Sequence, residues 1–149
     1  MNPNAAHVPA DPDWEARVRA SFAHQGAMAL IGATIEGLEP GVCVVVAPYR
    51  PDLSQQHGFF HAGVTSAVAD SAGGYAARTL FPPDSDVLTV EFKINLIAPA
   101  HGDVLRARGE VVRSGRTLTI CRVDAEVVRG GVATVCAVMQ QTLMRVAAR

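Results

Sequence analysis

The sequence predicts an α+β domain in which a curved antiparallel sheet wraps around one long central helix. Residues 61–80 are rich in alanine and end before Pro82 and Pro83, a pattern typical of a helix of about five turns. Most of residues 87–146 alternate between apolar and polar side chains, as antiparallel strands with one solvent-exposed face do. Because the apolar face must be covered, and no other segment predicts a long apolar helix, we expect the sheet to curl around residues 61–80.

Length and composition restrict the class of protein. The chain has 149 residues, about one domain, and 49% of them are hydrophobic. The formal net charge of −1 leaves no basic excess for a nucleic-acid backbone or an anionic membrane, so we expect neither partner. The longest apolar run, residues 42–47, is far shorter than the ~18 residues of a membrane span. The first residues do not have the pattern of a secretory signal, so we expect a cytoplasmic protein.

The N-terminal region is predicted as a tail followed by a helix. Residues 1–12 contain three prolines and are predicted to be flexible, with a single domain over residues 13–149. Residues 13–27 are predicted as a helix because apolar side chains recur every four residues on one stripe. That stripe consists of Trp14, Val18 and Phe22.

The remaining elements are predicted as strands joined by short turns. Turn signals at Pro40-Gly41, at Ser114-Gly115 and at Gly130-Gly131 predict three hairpins, and residues 48–60 are predicted as a loop. The predicted strands are residues 30–38, 42–47, 87–98, 103–113, 116–129 and 132–146.

Two adjacent glycines, Gly73 and Gly74, interrupt the alanine-rich composition of the long predicted helix. Each costs up to ~1 kcal/mol relative to alanine in a helix interior. We therefore expect close backbone contact with the sheet or with a partner at this position.

Metal binding is not predicted. The cysteines lie among valines and alanines without CxxC spacing, which favours buried thiols in a reducing compartment. His57 and His61 are four residues apart, but no HExxH motif is present and glycine and phenylalanine separate them. The three cysteines are Cys43, Cys121 and Cys136.

The start of the long helix is a candidate oxyanion site. The first turn of a helix has backbone N–H groups without intrahelical acceptors, here those of Ala62, Gly63 and Val64. Together with the helix dipole, these donors favour negative charge that develops on a substrate oxygen. Small side chains allow a carbonyl group to approach this backbone closely.

Asp70 is the candidate catalytic carboxylate. It lies in the middle of an apolar helix, where a carboxylate is costly without a partner or a function. A salt bridge to an arginine such as Arg78, or a position on a solvent-exposed face, would be purely structural explanations. Asp70 is eight residues beyond Ala62, about 12 Å along a helix axis. Both groups can act on one carbonyl only if two antiparallel copies of the helix share a site, so we expect at least a dimer.

These residues together resemble the PaaI-like acyl-CoA thioesterases of the hotdog fold, over roughly residues 28–146. The family pattern is His-Gly-Gly, an acidic residue nine positions after the histidine, a strand that ends in a Pro-Ala turn, and a Gly-basic hairpin. In this chain the pattern corresponds to His61-Ala62-Gly63, Asp70, the strand from Leu88 through Thr89 to the Ala98-Pro99-Ala100 turn, and the hairpin Arg113-Ser114-Gly115-Arg116-Thr117-Leu118.

The resemblance implies a function and a set of roles. It implies hydrolysis of a small, medium-chain or aromatic acyl-CoA, with no cofactor besides the CoA thioester itself as substrate. Asp70 would be the general base or the nucleophile, Ala62 N–H the oxyanion donor, and Thr89 the hydroxyl that places water. His61 would shape the turn at the start of the helix, next to Gly63. Residues implied to hold CoA are Ala98, Pro99, Ala100, His101 and the hairpin Arg113, Ser114, Gly115, Arg116, Thr117 and Leu118.

Two positions depart from the family pattern. An asparagine six positions before the histidine is common in the family, and this chain has Gln55, which keeps the amide on a longer side chain. The middle glycine of His-Gly-Gly is Ala62, which keeps the N–H and adds a methyl group.

Two other functions stay open, a non-catalytic acyl-CoA-binding protein and a dehydratase of 3-hydroxyacyl thioesters. We expect a homo-oligomer, a dimer at least and a tetramer by preference.

Overall fold

The computed structural model describes residues 7–148. Within this range, three α-helices and six strands follow one another, with a short 3-10 turn at Pro51–Leu53 before the third helix. The helices are α1 (Trp14–Ala23), α2 (Gly26–Ile31) and α3 (Ala62–Arg78). The strands are β1 (Thr34–Glu39), β2 (Val42–Pro48), β3 (Ser85–Leu96), β4 (Val104–Ser114), β5 (Leu118–Arg129) and β6 (Val132–Ala147).

The strands form one antiparallel sheet in the order β1-β2-β4-β5-β6-β3. Alternate residues of β4, β5 and β6 are buried, and α3 packs on that inner face. The charged side chains of β4 and β5 lie on the outer face, where Arg106 pairs with Glu36 and Glu126. The predicted α+β architecture, a curved sheet around one long helix, is confirmed.

Glycines allow α3 to approach the sheet closely. A methyl group built on Gly109 of β4 would lie 2.5 Å from the backbone carbonyl of Ala72. A methyl group built on Gly73 would lie 1.9 Å from Oε1 of Gln141 on β6. The predicted close contact is therefore confirmed for Gly73, whereas no described atom beyond the neighbouring backbone of α3 lies within 4 Å of a methyl group at Gly74.

The prediction was wrong between residues 24 and 33. Instead of one helix over residues 13–27, α1 ends at Ala23, and Gln25 has an extended conformation that begins α2. Leu30 and Ile31 belong to α2 rather than to a strand, and Gly32, at φ +77°, ends this helix. A short apolar run has the same composition in a buried strand and in a short helix, so periodicity could not separate the two.

The turn between β4 and β5 is longer than predicted. Strand β5 begins at Leu118 instead of residue 116, so Arg116 and Thr117 belong to the turn. The N–H of Gly115 donates to the carbonyl of Leu118 and closes this hairpin at 2.8 Å. The three predicted hairpins are otherwise present, with Gly41, Gly130 and Gly131 at positive φ.

Strand β3 forms one edge of the sheet and is the least covered strand. Its predicted apolar side chains Val90, Phe92 and Leu96 are exposed, although α3 also contacts this strand. The strand pairs with β6 through a bulge between Thr89 and Glu91.

The predicted N-terminal tail is described in part. Residues 1–6 lie outside the described residues. Asp11 is buried, pairs with Arg17, and accepts a hydrogen bond from the N–H of Asp13. None of the helices in residues 7–148 is both long and apolar enough to cross a membrane.

Candidate active site

His61 caps the start of α3 with its own side chain. Its backbone is extended, at φ −63° and ψ 140°, and its Nδ1 accepts a 2.9 Å hydrogen bond from the N–H of Gly63. Because Nδ1 accepts, the ring proton of a neutral His61 lies on Nε2. The Gly63 N–H is thus engaged, while in residues 7–148 the N–H of Ala62 donates to no other group. Ala62 is exposed, so this donor is available to a ligand.

A cavity of about 230 Å³ opens beside Ala62. The amide of Gln55 lines it, and its Oε1 accepts a hydrogen bond from the N–H of His57. The N–H of Phe60 donates to the carbonyl of Ala100 at 2.9 Å and so joins the two loops of the cavity wall. The other lining residues are mainly apolar: Phe59, Thr65, Leu96, Ala98, Pro99 and Cys136.

His101 lies at the margin of this cavity. Its ring packs against Phe59 with 5.2 Å between ring centroids, and its Nδ1 is 3.4 Å from Nη1 of Arg129. The structure thus brings together Gln55, Ala62 and residues 98–100 around one cavity, with His101 packed against Phe59.

Asp70 faces the edge strand β3 instead of the cavity. Its Oδ1 accepts a 2.7 Å hydrogen bond from the hydroxyl of Thr89 and another from Nε2 of Gln141. Its Oδ2 accepts no hydrogen bond from the described part of the chain. Arg78 pairs instead with Asp86 at 3.0 Å, so the salt-bridge explanation for Asp70 is wrong. One carboxylate oxygen is held by two donors, and the other has no hydrogen bond within residues 7–148.

A single chain does not unite the two groups. Asp70 is eight residues along α3 from Ala62, about 12 Å, and it does not line the cavity beside Ala62. The structure brings together Asp70 with Thr89, and separately Ala62 with Gln55. A complete site of the predicted kind therefore needs two chains.

The predicted hairpin lies at the other end of the sheet. Residues 113–118 are all exposed. Strand β4 separates this hairpin from the 98–101 segment, and the ten steps from Val104 to Ser114 span about 33 Å. Arg113 and Arg116 have no ion pair within residues 7–148, so their guanidinium groups are available to an anion.

Sequence reasoning missed Gln141. Its side chain is completely buried and contacts Asp70, on a strand face otherwise occupied by Met139 and Leu143. A polar residue at an inward-facing position of an alternating strand is the signal that could have identified it.

Cys136, which lines the cavity, is buried. Burial raises the pKa of the Cys136 thiol, which therefore stays neutral at ordinary pH. Burial likewise raises the pKa values of Cys43 and Cys121, each to about 12. Residues 7–148 contain no group of three or more side chains arranged to hold a metal ion.

The fold and the helix-start site define a hotdog-fold protein of the thioesterase type. The sequence pattern of the Thioesterase superfamily matches residues 57–136, so the chain belongs to this family. That match includes His61, Ala62, Asp70 and Thr89.

Solved structures agree with this assignment. A thioesterase family protein from Silicibacter pomeroyi is 47% identical, with a TM-score of 0.89 over 91% of this chain and 99% of that chain. The PaaI protein of the E. coli phenylacetic acid degradation operon is 16% identical, with a TM-score of 0.79 over 91% and 95% of the two chains. At that identity the second likeness concerns the fold. The predicted resemblance to PaaI-like proteins is confirmed at the level of family and fold.

Two relatives matched by sequence are less similar to this chain than the Silicibacter pomeroyi protein. A 1,4-dihydroxy-2-naphthoyl-CoA hydrolase of Listeria monocytogenes is 26% identical over 95 residues, which cover 64% of this chain and 77% of that protein. A relative from Saccharolobus solfataricus, whose name assigns it provisionally to the esterases, is 32% identical over 87 residues. The match covers 58% of this chain and 61% of that relative's length.

Proposed function

We propose that this protein hydrolyses acyl-CoA thioesters to the free acid and CoA. The observation that carries the proposal is the carboxylate of Asp70, with Oδ1 held by Thr89 and Gln141 and Oδ2 unbonded within residues 7–148. A fixed carboxylate with one free oxygen is suited to act on water or on a thioester carbonyl. Membership of the Thioesterase superfamily supports the reaction type.

Two routes use the same atoms. As general base, Oδ2 of Asp70 takes a proton from water while the water oxygen attacks the thioester carbon. As nucleophile, Oδ2 attacks that carbon itself, and water then hydrolyses the resulting anhydride. In both routes the carbon–sulfur bond breaks and CoA leaves as a thiolate, which takes up the proton that the attacking water gives up. The N–H of Ala62 stabilises the oxyanion.

The active unit in this proposal is a dimer. Two chains related by a two-fold axis, with their α3 helices antiparallel, bring Asp70 of one protomer to Ala62 of the other. Strand β3 supports this arrangement because it has a free edge of twelve residues with exposed apolar side chains such as Val90 and Phe92. A long apolar edge strand invites aggregation unless a partner covers it.

A second contact surface supports the expected tetramer. Leu88, Met144 and Leu118 are aligned across three neighbouring strands on the outer face of the sheet, and the two leucines are exposed. We expect two dimers to pair through this face, which the mass of the assembly in solution tests.

The CoA moiety would contact both predicted segments. We assign the pantetheine to Ala98, Pro99, Ala100 and His101, and the phosphates to the hairpin that carries Arg113 and Arg116, since guanidinium groups suit phosphate. Because these segments are about 33 Å apart in one chain, we expect them to come from different protomers.

The acyl group we favour is small, medium-chain or aromatic. The cavity beside Ala62 is apolar, with Phe59 and Phe60 in its wall, and its volume of about 230 Å³ suits a compact group. The naphthoyl-CoA hydrolase among the relatives supports the aromatic alternative. We place the activity in the cytoplasm, in keeping with three buried cysteines that form no disulfide in the described chain.

A panel of acyl-CoA thioesters, with thiol release monitored, tests the proposal. We expect release from at least one member, and a loss of at least about 100-fold in kcat for the Asp70→Asn variant. Full activity of that variant would contradict the role of Asp70. Binding without thiol release would favour the non-catalytic acyl-CoA-binding protein, and an enoyl product from a 3-hydroxyacyl thioester would favour the dehydratase.

A further inference from the structure

Gln141 is a completely buried amide next to the carboxylate of Asp70. It lies on the inner face of β6, where its neighbours Met139 and Leu143 are buried and apolar. Removing an amide from water is unfavourable unless both of its ends are hydrogen-bonded. The contacts of each end therefore show what the side chain does.

The donor end is directed at Asp70. Nε2 donates to the backbone carbonyl of Asp70 at 3.2 Å and to Oδ1 of the same residue, and it lies 3.3 Å from the hydroxyl oxygen of Thr89. A primary amide has two N–H groups, and both are used on one residue. The reversed orientation would place Oε1 against two acceptor oxygens of Asp70, so the hydrogen bonds fix the orientation of the amide.

The acceptor end has no hydrogen bond. Oε1 is buried without a partner within residues 7–148, and it occupies the space that a side chain at residue 73 would fill. The helix accommodates it only because Gly73 has no Cβ. A buried acceptor without a donor lowers stability, so this glutamine is not explained as a stabilising core residue.

We propose that Gln141 is a positioning residue that, together with Thr89, holds the carboxylate of Asp70 so that Oδ2 is presented to the reactant. This inference rests on the proposed function. Gln141 also donates to the backbone carbonyl of Asp70, so it contacts both the backbone and the carboxylate of this residue. A carboxylate free to rotate would spend less time at reacting distance, which lowers kcat and leaves binding of CoA unchanged.

The test replaces Gln141 by methionine, which has a similar shape and no N–H. The matched control is Gln140→Met, one residue earlier on the same strand, where the side chain is exposed on the outer face. For Gln141→Met we expect kcat to fall about 10- to 100-fold, with KM within about twofold of wild type. We expect an unchanged or higher Tm, because the unpaired Oε1 is gone, and wild-type kinetics for the control.

Asp70→Asn separates this inference from the function on which it rests. An inactive Asp70→Asn protein beside a fully active Gln141→Met protein would overturn the positioning role and leave the proposed function intact. An active Asp70→Asn protein would overturn the role of Asp70 and this inference with it, whereas a wild-type protein that releases no thiol from any acyl-CoA would overturn the proposed function.

The double variant Asp70→Asn/Gln141→Met completes the cycle. If Gln141 acts through Asp70, the second change does not reduce the residual rate further, and an additional loss would contradict the inference. If Gln141→Met does not fold, Gln141→Asn decides, because it keeps the amide on a side chain too short to reach Oδ1. It should show the same loss of kcat, and a wild-type kcat would overturn the inference.

Discussion

The hydroxyl of Thr89 donates a 2.7 Å hydrogen bond to Oδ1 of Asp70 and thereby joins the edge strand β3 to the central helix. Thr89 is exposed, whereas the amide of Gln141 on the same carboxylate oxygen is buried. The carboxylate is thus held by one donor that is exposed to solvent and by one that is buried in the core. Its other oxygen accepts no hydrogen bond within residues 7–148. Because the two donors belong to different residues, the hydroxyl of Thr89 can be removed without changing Gln141.

Thr89→Val removes this hydroxyl and keeps a β-branched side chain suited to a strand. We expect kcat to fall about tenfold, because a hydrogen bond to a charged acceptor is lost from the reacting group. The free energy of unfolding should change by less than about 0.5 kcal/mol, since the residue is exposed. Steady-state kinetics and thermal unfolding measure both. Thr89→Ser keeps the hydroxyl as control, and a Thr89→Ser rate as low as that of Thr89→Val would argue against the hydrogen bond.

Thiol reactivity should follow burial. Burial raises the pKa values of Cys43 and Cys121 to about 12 and also raises the pKa of Cys136, so all three thiols stay protonated at pH 8. We expect iodoacetamide to leave the native protein unmodified over the time in which it labels all three cysteines in denaturant. Mass spectrometry of intact protein provides the measurement. Rapid labelling of the native protein would contradict the burial of these thiols.

Local sequence signals identified α3, the hairpins and the sheet. Proline and glycine mark where these elements end, and the alternation along β5 is a property of neighbouring residues. The secondary structure of Met28 to Ile31 could not be assigned, because four consecutive apolar residues fit the repeat of a helix and the repeat of a strand equally well. The order of strands, with β3 beside β6 at the edge, depends on contacts between distant segments, so the exposure of Phe92 was not predictable.

In the candidate site, too, residues with a local sequence signal could be predicted, and contacts between distant segments could not. Asp70 stood out because an acid among alanines is conspicuous in one helical window, and its spacing from Ala62 predicts a site shared by two chains. Gln141 did not stand out, because it is 71 residues from Asp70 along the chain and no feature of its own strand indicates which residue it contacts. Gly73 could be noticed in the sequence. The need for a glycine at this position could not, because it arises from Oε1 of Gln141, which lies on another element.

The two helix glycines should respond oppositely to alanine. In Gly73→Ala the new methyl group would lie 1.9 Å from Oε1 of Gln141, so we expect a loss of about 1–3 kcal/mol in unfolding free energy and a lower kcat, as Gln141 is displaced. In Gly74→Ala the new methyl group meets no described atom within 4 Å beyond the neighbouring backbone of α3, so the variant should gain about 0.5–1 kcal/mol from helix propensity. Chemical denaturation compares them. Equal stabilities for the two variants would contradict the contact between Gly73 and Gln141.

Ala62→Pro removes one N–H group from the candidate oxyanion site. Proline is favoured at the first position of a helix, and the extended backbone of His61 is what a residue before proline requires. We therefore expect unchanged stability, measured by thermal unfolding, with a loss of about 100- to 1000-fold in kcat. Ala62→Gly, which keeps the N–H, is the control for shape. An Ala62→Pro protein with wild-type kcat would exclude this N–H as the oxyanion donor.

Mixed dimers test whether the two groups act from different chains. A heterodimer of one Asp70→Asn chain and one Ala62→Pro chain, isolated through two different tags, contains one site with both wild-type groups and one site with neither. We expect about half of the wild-type kcat per dimer, although each homodimer is inactive. A site formed within one chain would instead leave every site of this heterodimer defective. The reciprocal heterodimer, wild type with a chain carrying both changes, should be inactive if the site is shared and half active if it is not. The two heterodimers therefore give opposite results for a site shared between chains and for a site within one chain.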